Sequence, residues 1–159
     1  MNVLYLHGLE SKPTGPKMKY LRDRFENFYA PEIDYEEYDA FNNVLDLCNE
    51  KEIDVVIGSS MGGYFACSIG TIKNIPVVVF NPALHSREID PFGVETGQFP
   101  LDGIAALGMS DTVIDPIETY KMLENHEQMA IMAIKGMGHR IPITTFINVI
   151  EKALPPGIK

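Results

Sequence analysis

Residues 53–62 read IDVVIGSSMG, in which a short β-branched run passes directly into the pentapeptide GSSMG at 58–62; a helix-like stretch, 63–70, follows. A G-x-S-x-G match between a strand and a helix is typical of a nucleophile elbow, a sharp turn that exposes a serine hydroxyl at the edge of a sheet. Small flanking residues let neighbouring backbone atoms approach without collision. The sequence therefore predicts Ser60 as a candidate nucleophile.

The composition indicates one globular domain over residues 1–159, because a chain of this length with 45% hydrophobic residues can bury a sizeable core. A net charge of -9 gives no electrostatic reason to expect a nucleic acid or an anionic membrane as partner. The apolar N-terminus, 1–6, lacks a basic leader and indicates a strand, and no apolar run is long enough for a membrane span. Cys48 and Cys67 are typical of small buried hydrophobes, so we expect a cytoplasmic protein.

Short β-branched runs alternate with segments of helical period along the chain. This alternation predicts an α/β protein in which right-handed crossovers place helices on both faces of one parallel sheet. A first helix is expected behind Gly15-Pro16, with apolar residues at 18, 21, 25 and 28, a second after Asp39, and the last near Pro142. The six predicted strands lie at about 2–6, 28–34, 53–58, 76–80, 104–108 and 129–135.

Residues 82–103 interrupt this alternation, since they contain three prolines and three glycines and follow neither the strand period nor the helical period. A long connection of this kind is often functional. One interpretation is a reduced cap over the site, with Phe92 and Phe99 contacting substrate. The alternative is a surface loop whose aromatic side chains only cover part of the hydrophobic core.

A serine nucleophile needs a base, and His139 is the candidate. It follows the last predicted strand in the glycine-flanked loop GMGH at 136–139. Loops at the carboxyl ends of parallel strands meet at one edge of the sheet, so His139 and Ser60 are expected to share a crevice.

The base in turn needs an acid, and two aspartates follow the fifth predicted strand. Asp111 is the preferred candidate. Asp115 is the alternative, but it directly precedes Pro116 and a helical segment, where an aspartate more often serves as the N-cap.

Two backbone N–H groups are candidates for an oxyanion hole, which stabilises the negative oxygen of a tetrahedral intermediate. One belongs to Met61, at the start of the helix after the elbow. The other belongs to Leu9, in a loop after the first strand that should lie beside the third. His7 is expected to support this loop by hydrogen bonding.

Four segments carry a family resemblance: LYLHGL at 4–9, GSSMGGY at 58–64, NPA at 81–83 and GMGH at 136–139. They resemble the corresponding motifs of the compact bacterial YqiA-type esterases, which belong to the α/β-hydrolase superfamily. The resemblance implies a minimal α/β-hydrolase fold with the strand order 2-1-3-4-5-6. The region 84–103 matches poorly.

The resemblance also implies a serine hydrolase of short or medium acyl esters that needs no cofactor. Position by position, it places the nucleophile on Ser60, the acid on Asp111 and the base on His139. It places the oxyanion loop on His7-Gly8-Leu9. We further expect His7 and Gly8 to contact substrate. The same triad would serve an acyl thioesterase, which the sequence does not separate from an esterase.

Other functional classes find less support in the sequence. The segment 58–63 matches neither of the common phosphate-binding loop patterns, and the four histidines form no pair at metal-ligand spacing. We therefore expect no metal and a small-molecule ester as the partner. A binding protein that keeps the fold without turnover remains an alternative, and the oligomeric state is not predicted.

Overall fold

The computed structural model describes residues 1–94, 97 and 100–156. Six strands and five helices lie in this part of the chain. The strands are β1 Asn2–Leu6, β2 Asn27–Tyr29, β3 Val55–Ser59, β4 Val77–Phe80, β5 Gly103–Gly108 and β6 Met129–Ile134. The helices are α1 Pro16–Arg24, α2 Ala40–Glu50, α3 Met61–Lys73, α4 Pro116–Leu123 and α5 Ile143–Ala153.

The six strands form one sheet in the order β2-β1-β3-β4-β5-β6, and every neighbouring pair is parallel. The predicted fold class and strand order are confirmed. Parallel neighbours need crossover connections, and the helices between the strands supply most of them. The carboxyl ends of the strands therefore lie along one edge of the sheet.

Both faces of the sheet are buried, because alternate side chains of each central strand enter different cores. In β3, Val56 packs in one core and Val55 and Ile57 in the other. Helices α2 and α3 contribute Phe41 and Phe65 to the first core. Helices α1 and α5 cover the opposite face, where Met18, Leu21, Phe146 and Ile150 are buried.

The second strand is shorter than predicted. It ends at Tyr29, whereas the sequence predicted a strand over 28–34, and Phe28 lies in this strand and not in the first helix. Pro31, two residues further on, has no N–H to donate to a neighbouring strand. The chain turns instead toward the end of β1, where the Ile33 N–H and the Tyr35 hydroxyl bond to His7.

Three of the predicted helix starts are confirmed. Pro16 is the first residue of α1, as suits a residue with no N–H to satisfy. Asp39 and Pro142 occupy the N-cap positions of α2 and α5, although neither forms a side-chain capping bond. At α4 the Asp115 carboxylate accepts hydrogen bonds from the N–H groups of residues 117 and 118, which makes it a true N-cap.

The connection from β4 to β5 holds no helix or strand among the residues that the structure describes. Arg87 anchors its first part: the guanidinium donates to the carbonyls of Ala83 and Leu84, pairs with Asp90 and stacks over the Tyr64 ring. Whether this connection acts as a cap stays a prediction. Within 1–94, 97 and 100–156, no helix combines the length and the apolar character needed to cross a membrane.

Candidate active site

Ser60 lies between the last residue of β3 and the first residue of α3. Its backbone has φ +54° and ψ -116°, a conformation that L-residues rarely adopt and that costs about 1–3 kcal/mol. The turn is held by its backbone: the Ser60 N–H donates to the Phe80 carbonyl, and the Ser60 carbonyl accepts from Tyr64 and Ala83. The local structure is thus the sharp turn that the sequence predicted.

Glycines 58 and 62 are required by close backbone contacts. A Cβ on Gly58 would lie 2.3 Å from the Gly62 carbonyl oxygen, and a Cβ on Gly62 would lie 2.2 Å from the Leu6 carbonyl oxygen. Neither contact is sterically possible. The two glycines therefore allow α3 to pack against the end of β1, which brings Ser60 next to the loop after β1.

The structure brings Ser60, His139 and Asp111 into one hydrogen-bonded chain. His139 Nε2 lies 3.1 Å from Ser60 Oγ, and His139 Nδ1 lies 2.8 Å from Asp111 Oδ2. A carboxylate next to Nδ1 holds the proton on that nitrogen, so Nε2 can accept the proton of the serine hydroxyl. The Asp111 side chain is fully buried, whereas His139 is 25% exposed and accessible from outside.

The two candidate acids make different contacts. Asp111 Oδ1 accepts hydrogen bonds from the N–H groups of Val113 and Ile114, which leaves Oδ2 directed at His139. Asp115 Oδ1 instead caps α4 by accepting from Ile117 N–H at 2.8 Å. The geometry thus favours Asp111 over Asp115 as the partner of the imidazole.

Asn81 connects the end of β4 to both loops that carry the site. Its Nδ2 donates to the carbonyls of Gly138 and His139, at 3.0 and 3.1 Å, and its Oδ1 accepts from Gly108 N–H at 2.7 Å. The side chain is buried, and the residue has φ +43°. Sequence reasoning assigned no role to Asn81. The available signal was a polar residue directly after the buried run VVVF.

The backbone N–H groups of Leu9 and Met61 have no acceptor within the described part of the chain. Both residues line the same cleft as Ser60, and Met61 N–H is at the N-terminus of α3, where the helix dipole favours negative charge. The Gly8 carbonyl accepts from Ser11 and from His7, which orients this loop. These two N–H groups are suited to a developing oxyanion.

His7 is buried below the loop, and both of its ring nitrogens bond within the protein. Its Nε2 accepts from Ile33 N–H at 2.8 Å, so the proton is on Nδ1, which donates to the Gly8 carbonyl at 2.7 Å. The ring packs edge-on against Tyr35. This agrees with the expected support of the loop, and the imidazole has no free nitrogen for the predicted contact with substrate.

The site opens into a cleft of about 750 Å³. Gly8, predicted to contact substrate, lies in its wall, as do the buried Tyr5 and Ile141. Burial raises the pKa of Tyr5 to about 12, so this phenol stays neutral at ordinary pH. The charged side chains in the wall are Glu10, Lys12, Lys17, Arg87, Glu88 and Arg140.

Of the two aromatic residues predicted to contact substrate, Phe92 is not part of this wall. Phe92 is 65% exposed and packs against the ring of Tyr38, with the ring centres 4.8 Å apart, so the prediction for Phe92 finds no geometric support. Phe99 lies outside the described residues. Among the residues that are described, no three His, Cys, Asp or Glu side chains are grouped so as to hold a metal ion.

Solved structures with this fold include several hydrolases. Est1E from Butyrivibrio proteoclasticus superimposes with a TM-score of 0.71 at 9% identity, over 94% of this chain and 85% of that one. A Xanthomonas campestris pv. campestris protein assigned to the α/β superfamily of hydrolases gives 0.70 at 15%, over 95% and 97%. The monoacylglycerol lipase of Paleococcus ferrophilus gives 0.64 at 14%, over 87% and 86%. The chain therefore has the α/β-hydrolase fold, as the resemblance implied.

Within that class the chain belongs to UPF0227, an uncharacterised protein family whose profile matches residues 2–90. UPF0227 proteins of Vibrio cholerae and Vibrio parahaemolyticus are 30% and 32% identical to it. Each alignment covers 52% of this chain and 51% of the relative, so the chain spans about half the length of the curated relatives it matches. The matched region contains the elbow and the Leu9 loop.

Proposed function

We propose that this protein is a serine hydrolase that cleaves carboxylic esters of small or medium acyl groups. The observation that carries the proposal is the hydrogen-bonded chain from Ser60 Oγ through His139 to the buried Asp111. Names of proteins with the same fold agree with it, since they include Est1E with ferulic acid bound and a monoacylglycerol lipase. A fold alone does not define an activity, so the site carries the argument.

The first half-reaction forms an acyl-enzyme. Ser60 Oγ attacks the ester carbonyl carbon while His139 Nε2 takes the hydroxyl proton. The carbonyl oxygen becomes negative, and the N–H groups of Leu9 and Met61 donate to it. When the intermediate collapses, the C–O bond to the alcohol breaks and His139 returns the proton to the departing oxygen. Asp111 remains ionised and stabilises the imidazolium.

The second half-reaction releases the acid. His139 removes a proton from a water molecule, whose oxygen attacks the acyl carbon on Ser60. The same two N–H groups stabilise the second tetrahedral intermediate. Its collapse breaks the bond to Ser60 Oγ, which regains the proton from His139, and the carboxylic acid leaves. Only a neutral His139 can start either step.

The direct test is the hydrolysis of p-nitrophenyl acetate, butyrate and octanoate by wild-type protein and by Ser60→Ala. We expect turnover by the wild type and a loss of at least about a thousandfold in kcat/KM for the variant. An unchanged rate in Ser60→Ala would overturn the proposal. The butyryl thioester of N-acetylcysteamine, measured alongside, distinguishes an esterase from an acyl thioesterase with the same triad.

A further inference from the structure

Lys17 stands out among the cations of this acidic protein. Four Lys or Arg side chains in the described part of the chain are partly buried. Three of them have carboxylate partners: Arg24 pairs with a glutamate of α5, Lys51 with its neighbour and Arg87 with Asp90. Lys17 makes neither an ion pair nor a hydrogen bond with another described residue, so its ammonium group is the exception in this set.

The position of Lys17 connects it to the proposed reaction. Lys17 lines the same cleft as Ser60 and His139. Its ammonium group lies 5.6 Å from the centre of the buried Phe146 ring, and burial lowers its pKa. A partly desolvated ammonium group with no counter-ion is unfavourable, and an anion bound nearby would compensate for the lost hydration.

A second cation lies in the same wall. Arg140 directly follows His139, lines the cleft, and has no carboxylate partner among the described residues. Two carboxylates, Glu10 and Glu88, also line the cleft, and like Arg140 they are exposed to water, where solvent and salt screen their charge. The partly buried charges in the wall belong to Lys17 and to Arg87, which pairs with Asp90, so the partly buried charge without a carboxylate partner among the described residues is that of Lys17, although the whole chain carries -9.

We propose that the ester substrate carries an anionic group, which binds in the cleft against Lys17 with support from Arg140. This inference rests on the proposed function and specifies its substrate class. The anion can belong to the acyl part, as in a dicarboxylic acid monoester, or to the alcohol part. In both cases the shared chemistry is a carboxylate-sized anion held within reach of an ester carbonyl at Ser60.

Matched ester pairs test the inference and separate the two sources. For the acyl side, monoethyl succinate, glutarate and adipate are compared with the neutral ethyl esters of 4-oxopentanoate, 5-oxohexanoate and 6-oxoheptanoate. For the alcohol side, the butyrate ester of glycolic acid is compared with acetonyl butyrate. In each pair a methyl ketone replaces the carboxylate at similar size, and a pH-stat follows the released acid.

We expect at least one anionic ester to exceed its neutral counterpart about tenfold in kcat/KM. Lys17→Met should lower this anionic-to-neutral ratio about tenfold, whereas Lys17→Arg should retain it. Lys19→Met is the matched control, because Lys19 is exposed on the same helix and pairs with Asp23. The control should keep the ratio of the wild type.

Three outcomes would overturn the inference, and the measurements distinguish them from one another. If neutral esters are hydrolysed as well as their anionic counterparts, and Lys17→Met leaves the ratio unchanged, the proposed function stands and the anionic substrate does not. If neither p-nitrophenyl butyrate nor any ester of the pairs is hydrolysed by folded protein, the proposed function and this inference fall together, whereas turnover of p-nitrophenyl butyrate alone overturns only this inference. Circular dichroism and the unfolding midpoint of each variant establish that it is folded.

Discussion

Asp111 and Asp115 carry the same side chain but make different hydrogen bonds. Asp111 is held by two N–H groups of its own loop, so one carboxylate oxygen stays directed at His139. Asp115 uses its carboxylate to cap α4. A carboxylate held by its own loop is pre-oriented, and it does not have to lose side-chain entropy when the imidazole becomes charged.

Asp111→Asn is expected to lower kcat about a thousandfold or more, because an amide at this position no longer holds the His139 proton on Nδ1. The measurement is steady-state hydrolysis of p-nitrophenyl butyrate, with the unfolding midpoint as a check on folding.

Asp115→Asn is the matched control. It should keep kcat within about threefold and lose at most about 1 kcal/mol of helix-capping stability. If Asp115→Asn lowered kcat severely and Asp111→Asn left kcat unchanged, the assignment of Asp111 as the acid would be wrong.

At the scale of elements, the contact between α3 and the end of β1 depends on Gly62. A methyl group there would overlap the carbonyl oxygens of Leu6 and His7, at 2.2 and 2.5 Å, and backbone atoms cannot move aside as a flexible side chain can. Gly62→Ala is therefore expected to destabilise the protein by about 3 kcal/mol or more, measured by denaturant unfolding.

Gly138→Ala is the comparison for this prediction. A Cβ at Gly138 would lie 3.8 Å from the Ser110 carbonyl oxygen, an ordinary contact, so the loss should stay within about 1 kcal/mol. Equal stability of Gly62→Ala and the wild type would contradict the packing described for the elbow.

The Asn81 side chain connects three elements by hydrogen bonds, since it links the end of β4 to the end of β5 and to the His139 loop. Asn81→Gly keeps the positive φ accessible but removes these bonds. We expect kcat to fall about tenfold or more with little change in KM, because the loop loses its fixed position. The downfield NMR signal of the His139 Nδ1 proton should broaden as well.

Asn74→Gly makes the same chemical change at another asparagine with positive φ, the C-cap of α3. Its kcat and the NMR signal of His139 should match those of the wild type. An Asn81→Gly variant with normal kcat and an unchanged imidazole signal would show that Asn81 does not position His139.

At the scale of the whole molecule, the reactivity of the two buried cysteines tests whether the core excludes solvent. Burial raises the pKa of the Cys48 and Cys67 thiols to about 12, so both remain protonated, and unreactive as thiols, at pH 8. Native protein should react with Ellman's reagent at pH 8 only as fast as it unfolds, and denatured protein should show two thiols at once. Rapid reaction of either thiol in the native protein would contradict this packing.

Much of the architecture could be predicted from the sequence, because it follows from local patterns. Runs such as VVVF are apolar on both faces and indicate central parallel strands, and Pro16 marks a helix start at short range. The early end of β2 could not be predicted in the same way. It depends on hydrogen bonds from Ile33 and Tyr35 to His7. His7 lies 26 and 28 positions before these residues in the sequence, and it becomes their neighbour only in the fold.

For the candidate site as well, some features could be predicted from the sequence and others depend on the fold. Ser60, Asp111 and His139 each follow a recognisable strand, so topology alone brings them to one edge. The contact of Asn81 with two loops and the position of Lys17 in the cleft depend on how loops pack, which sequence periodicity does not encode. The prediction for Phe92 rests only on its being aromatic in an irregular segment, and sequence periodicity does not encode the packing of its ring on Tyr38.

The proposed mechanism requires His139 and Asp111 to activate the Ser60 hydroxyl. The most direct measurement is labelling with a fluorophosphonate probe, followed by peptide mass spectrometry to locate the adduct, with Ser60→Ala as control. We expect one adduct, on Ser60, which is absent from the variant. Well-folded protein that stays unlabelled, or an adduct on another residue, would contradict it.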